Sequence, residues 1–232
     1  MKIRFLHLFI FIISISFSTY SAQSQENKRS YYVWAKSGLS IREEAQKKSE
    51  KIAVIPYGSK IEIIEISDNE LTITVFPKFR YTDNWIKLKY KDYTGYSFKG
   101  YISEHKPPAI SENSLKSYLN KNYSLTNEVV VKPENCDYAE CSVSSFYTYK
   151  EGVTYSLSES EISSEKSISI PSLNTLQAFI LSTHFCSIDP KAEIQYFDEP
   201  LPTIRVVLDK AGCDFTITTL GNFTVINWWS GC

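Results

Sequence analysis

The stretch SGLSIREEA, Ser37 to Ala45, decides how the first half of this chain is read. Gly38 precedes Leu39 and Ile41, which alternate with Ser40, and Arg42 follows at once. A period of two puts both apolar side chains on one face of a strand. An arginine beside them is either a ligand contact or a guanidinium that satisfies carbonyls or a carboxylate at the sheet edge. The residues just after it, through Lys51, are polar all round. A helix with no apolar face is seldom stable, so they read as an exposed loop.

Outward from this stretch, short alternating segments recur: YYVWA, KIAVIPYG, SKIEIIEI, ELTITVF, NWIKLKY and TGYSFKGYI. Close-spaced strands separated by turn residues predict a small all-β barrel over residues 30–104. The alternation within SDNELTITVFPKFRYTD predicts an extra hairpin in its middle. Pro107 and Pro108 then interrupt the pattern. Prolines cannot donate ladder hydrogen bonds and favour extended backbone, so residues 105–112 are expected to be a linker.

At the other end, Lys2 and Arg4 precede an apolar run from Phe5 to Phe17, followed by small and polar residues. That order is that of a secretory signal peptide, expected to be removed near Ser21 or Ala22, and the run is short for a membrane span. An exported chain, periplasmic or extracellular, meets an oxidising compartment. All five cysteines, Cys136, Cys141, Cys186, Cys213 and Cys232, lie in the second half and are expected to form disulfides. The odd number leaves one over.

Residues 113–232 read as an α+β domain. SENSLKSYLNKN gives a short helix with Leu115, Tyr118 and Leu119 on one face and Ser111 or Ser114 as its cap. CSVSSFYTYKEGVTYSL reads as a hairpin that turns at Gly152, with SISI as a further strand. PSLNTLQAFILSTHFC is the strongest helical pattern. TIRVVLD, CDFTITTL and FTVINWW read as strands, the last two joined by Gly221-Asn222. Counting back from that turn places Ile217 opposite Ile226, and Phe215 opposite Trp228, on the core face. Trp229 must then face the other way, where burial under the helix is the expectation. Cys213 falls near Ser230, so a bridge to Cys232 is open to it, with Cys186 as competitor. Cys136 and Cys141 are close enough to bridge a local loop.

The first half resembles the bacterial SH3-like domain of cell-envelope proteins. That family opens with Gly-Leu-Asn-Val-Arg and a polar loop, continues through a strand ending near a turn glycine, and closes on Trp-x-Lys-Val and Gly-Tyr-Val-x-x-x-Tyr-Leu. Here the matching residues are Gly38, Leu39, Ile41 and Arg42, then Gly58, then Trp85, then Gly95, Tyr96 and Tyr101. Ser40 stands where asparagine is usual, and Glu43-Glu44-Ala45 replaces the usual Ser-Gly-Pro. The resemblance gives Arg42 a structural role and moves specificity to the loop that departs from the pattern. It implies peptidoglycan or an envelope protein as partner. Tyr57 and Tyr93, beside predicted turns, are the candidate ligand contacts.

The remaining signals narrow the function by what they lack. A formal net charge of −1 argues against general nucleic-acid binding. Cys136-x4-Cys141 with His184-x-Cys186 is a poor zinc spacing, and no phosphate-binding glycine loop occurs, so no metal or cofactor is expected. A thiol hydrolase would need a nucleophile such as Cys136 with His184 as base, but the Cys-Ser-Gly and His-x-Gly contexts of the cell-wall cysteine peptidases that often accompany such domains are missing. The expectation is an exported, non-catalytic binding protein, with a cysteine-peptidase-like cell-wall hydrolase as the alternative.

Overall fold

The computed structural model describes residues 29–133, 141–188, 191–197, 203–207 and 213–231. The expected signal peptide, Cys136 and Cys232 lie outside them. In the first half, strands β1 (Tyr31–Val33), β2 (Leu39–Arg42), β3 (Lys51–Ile55), β4 (Lys60–Phe76), β5 (Phe79–Tyr90), β6 (Tyr93–Phe98) and β7 (Ile102–Ser103) form one seven-stranded sheet. Its order is β3-β2-β6-β5-β4-β1-β7. The expected extra hairpin is the far part of β4 and β5. It turns through Pro77 and Lys78, with Lys78 in the left-handed region at φ 67°. The polar segment after Arg42 is a loop, as its composition predicts.

Helix α1 (Leu115–Asn122) starts where Ser114 Oγ accepts from the Ser117 amide at 3.2 Å, and it buries Leu115, Tyr118 and Leu119. The rest of the second half is more β than expected. Strands β8 (Leu125–Val131), β9 (Val143–Tyr149), β10 (Thr154–Glu159), β11 (Ser163–Pro171), β12 (Glu193–Phe197), β13 (Thr203–Val207), β14 (Cys213–Leu220) and β15 (Phe223–Gly231) make an eight-stranded antiparallel sheet. The order is β12-β13-β14-β15-β11-β10-β9-β8. The β14–β15 hairpin has the predicted register, Ile217 on Ile226 and Phe215 on Trp228, with Gly221 at φ 55° in the turn. Helix α2 (Thr175–Phe185) opens with a capping box: the Gln177 amide donates to Asn174 Oδ1, and the Asn174 amide donates to Gln177 Oε1.

Two expectations need correction. Trp229 is 39% exposed while Trp228 is 4% exposed. Helix α2 packs on the Trp228 face, where Phe179 meets Phe215, and so leaves Trp229 on the opposite face. Cys213 bonds to Cys186 rather than to Cys232, because the end of α2 brings the two Cα atoms within 5.7 Å. Cys141 is disulfide-bonded as well.

The hydrophobic core is not divided at the expected linker. A smaller cluster of Val33, Leu39, Ile41, Ile55, Ile86 and Leu88 belongs to the first sheet alone. The larger cluster joins Trp34, Phe79 and Phe98 to Phe179, Phe215 and Trp228. Polar groups stitch the same seam. Gln177, 1% exposed, donates from Nε2 to the Ile102 carbonyl at 2.8 Å and the Gly100 carbonyl at 3.3 Å. Trp34 Nε1 donates to the His105 carbonyl at 2.7 Å. The expected linker is itself packed: Pro107 and Pro108 are buried, and Tyr118 Oη donates to the Lys106 carbonyl at 2.8 Å.

His105 is the hinge pin of this seam. Its Nε2 lies 2.6 Å from the Pro171 carbonyl and must donate, since a carbonyl only accepts. Its Nδ1 then accepts from Tyr123 Oη at 3.0 Å, so the geometry selects the neutral ring. Burial lowers its pKa below the ordinary value of 6.5, against smaller opposing effects of the Pro171 bond and Glu104. Well above pH 6.5 both folded and unfolded rings are neutral and the group contributes no slope. Below it the unfolded chain takes up the proton first, so stability falls as pH drops toward the depressed folded value. Denaturant titrations between pH 7 and pH 5 are expected to show that loss, and His105→Asn to flatten it; an equal slope in both would remove His105 as the cause.

Candidate functional site

The two halves leave an open cleft of about 510 Å³ between them. One wall is the opening stretch, Gly38, Leu39, Ser40 and Arg42. The second wall is Leu71, Ile73 and Val75, which β4 presents on one face because they are spaced by two. Helix α2 closes it with Leu176, Phe179, Ile180 and Thr183. Trp85, Phe98 and Tyr101 also line it, the first two 3% and 4% exposed.

Gly38 fits its place for two reasons. It sits at φ 85°, and a Cβ there would lie 2.6 Å from Val54 Cγ1. Gly95 is needed for close approach: its Cβ would stand 2.5 Å from the Arg42 carbonyl oxygen. The opening strand is thereby held tight against β6, with Arg42 paired to Tyr96.

The cleft has an apolar floor and a cationic rim. Lys36, Arg42 and Lys47 line it, and no carboxylate does among the described residues. Lys36 loses hydration, which lowers its pKa from the ordinary lysine value. Lys36 makes no ion pair among the described residues, and a partly desolvated ammonium gains from an anion placed beside it.

The Arg42 guanidinium is engaged within the first half. Its Nη1 donates to the Ser49 carbonyl at 2.6 Å and closes the polar loop, whose Glu43 amide donates to the Glu50 carbonyl at 3.1 Å. Arg42→Ala is expected to lower stability by about 1.5 kcal/mol, the scale of one charge-assisted hydrogen bond. Thermal melting beside a binding assay checks this: an unchanged melt with lost binding would make the guanidinium a ligand contact instead.

The expected site residues are only partly brought together. Gly38, Leu39, Arg42, Trp85 and Tyr101 reach the cleft, and Ile41 is core. Gly58 makes a turn at φ 75°. Tyr96 lies outside the cleft under Lys87 Nζ, 5.8 Å from its ring. Tyr57 does not serve as an exposed contact: it is half-buried, and its hydroxyl donates to the Pro108 carbonyl at 2.8 Å. Tyr93 is 47% exposed but stands at the β5–β6 turn, away from the cleft. The loop after Arg42 contributes Lys47. His184 Nε2 donates to the Glu112 carbonyl at 2.7 Å, and Cys186 beside it is in the disulfide. Among the described residues no group of three or more His, Cys, Asp or Glu is arranged to hold a metal.

Sequence reasoning missed Lys36, the β4 face and the α2 face. The alternation of ELTITVF marked Leu71, Ile73 and Val75 as one face; nothing local marked what that face would meet.

The family model of the bacterial SH3 domain matches residues 37–103, which begin at the opening stretch and end at β7. No curated protein and no solved structure matches the chain.

Proposed function

We propose that this chain, with a bacterial SH3 domain at residues 37–103, is an exported, non-catalytic binding protein that engages cell-wall peptidoglycan through the cleft beside that domain. The observation that carries the reading is the cleft's construction. The family's opening residues form one wall, and the rim is cationic over an apolar floor. Peptidoglycan stem peptides present carboxylates and small apolar side chains together, which is the chemistry such a surface takes. The Cys186–Cys213 disulfide is compatible with an exported protein. No helix among the described residues is long and apolar enough to cross a membrane.

Co-sedimentation with purified peptidoglycan tests the proposal. The wild-type chain is expected in the pellet at low salt. Lys36→Glu with Lys47→Glu, both at exposed positions, is expected to lose most of that retention without a change in melting. Retention of the wild type no greater than that of the charge-reversed variant would sink peptidoglycan as the ligand and leave an envelope protein as the partner.

A further inference from the structure

A second cavity, of about 330 Å³, lies on the inner side of the eight-stranded sheet. The start of α1, the end of α2 and strands β10, β11, β14 and β15 enclose it. Among the described residues, two buried polar side-chain atoms have no hydrogen-bond partner: Trp228 Nε1 and Ser164 Oγ. Both residues line this one cavity. They sit on adjacent strands, since Lys166 pairs with Trp228 and Ser164 with Ser230. An indole N–H can only donate, and Trp228 is 4% exposed, so bulk water does not serve it. Buried donors are almost always paired, which makes two orphans in one cavity a sign of an absent acceptor.

The surroundings say what kind of acceptor. Lys116 and Lys166 line the cavity. Lys116 Nζ is held by Tyr147 Oη at 2.8 Å and Glu128 Oε1 at 3.4 Å. Lys166 has no ion pair among the described residues. Asn113, Ser114, Leu115 and Lys116 bring the N-terminus of α1 to the cavity, where the first helical amides have no intrahelical acceptor. Glu159, exposed at the end of β10, is the one carboxylate of the lining and disfavours a dianion. Leu115, Tyr155, Leu157 and Phe185 supply apolar walls.

We infer that this cavity binds a small monocarboxylate with an apolar body, its carboxylate accepting from Trp228 Nε1 and Ser164 Oγ and facing Lys166. That chemistry is shared by a free organic acid and by the carboxyl terminus of a peptide. The site is separate from the cleft, whose lining includes none of these residues.

Calorimetric titration of the full exported chain with 3-phenylpropionate and with N-acetyl-Gly-Leu, each beside its amide, tests the inference. At least one acid is expected to bind saturably, roughly tenfold more tightly than its amide, the scale of one charge-assisted hydrogen bond. Which acid binds identifies the source. Trp228→Phe keeps an aromatic ring in the core and removes the N–H; it is expected to weaken the acid at least roughly fivefold. Lys166→Met is expected to do the same by another route. The charge-reversed Lys36 and Lys47 variant should bind the acid as wild type does, which separates this site from the cleft. Acids binding no better than their amides, or Trp228→Phe binding unchanged, would overturn the inference and leave bound water as the cavity's only occupant.

Discussion

Phe179→Ala is expected to destabilise the whole protein by about 4 kcal/mol, the range for removing a buried phenylalanine from a packed core. Phe179 is 5% exposed, and its ring centroid lies 5.2 Å from that of Phe79 and 6.0 Å from those of Phe76 and Phe215. It therefore touches the long hairpin of the first half and the large sheet of the second. The cavity left behind has walls from both, so both should lose stability in one transition. Guanidinium unfolding followed at tryptophan fluorescence and at far-ultraviolet circular dichroism measures this. A loss below about 1 kcal/mol, or two separated transitions with only the later residues affected, would mean the shared core does not couple the halves.

Removing the Cys186–Cys213 bridge is the second large effect. The two cysteines are 27 residues apart in sequence. Closing a loop of that length removes chain entropy from the unfolded state worth about 3.5 kcal/mol. The bridge ties the end of α2 to the start of β14, across a stretch that includes β12 and β13. The double variant Cys186→Ala, Cys213→Ala is expected to melt markedly lower under oxidising conditions. Under a strong reductant the wild type should approach it. Equal melting of wild type and variant without reductant would show that the bridge contributes nothing to stability.

Short-range signals in the sequence carried well into the structure. The Gly221-Asn222 turn set the β14–β15 register residue by residue, because a two-residue hairpin leaves no freedom in the count. Of the two serines offered as the cap of α1, Ser114 takes the place, accepting from the Ser117 amide. Strand β8 escaped notice: LTNEVVV places three valines in a row, and all seven residues of this edge strand are exposed, so no alternation marks it. The cleft divided along the same line. Gly38, Leu39 and Arg42 were legible because their identities are constrained by a turn, a core face and a loop closure. Lys36 was not, because its significance lies in what α2 brings opposite it. Phe79 and Phe98 fill a joint between the halves, and only the position of Phe179 shows it. Trp229 was misjudged because alternation assigns a residue to a face but does not say which face the helix will cover.

Gln177 determines how this chain can be cut and recombined. Its side chain reaches from the first turn of α2 to the carbonyls of Gly100 and Ile102, at the closing edge of the matched domain. A fragment ending at that edge would carry those carbonyls into water, along with the side of Trp34, Phe79 and Phe98 that now meets the second half. The domain in this chain is thus not a portable cassette. Grafted behind another partner, it would need a substitute for α2: an amide to occupy the same two carbonyls and an aromatic to stand where Phe179 does. A protein carrying this domain without such a cover would be expected to have changed Trp34, Phe79 or Phe98 toward polar residues.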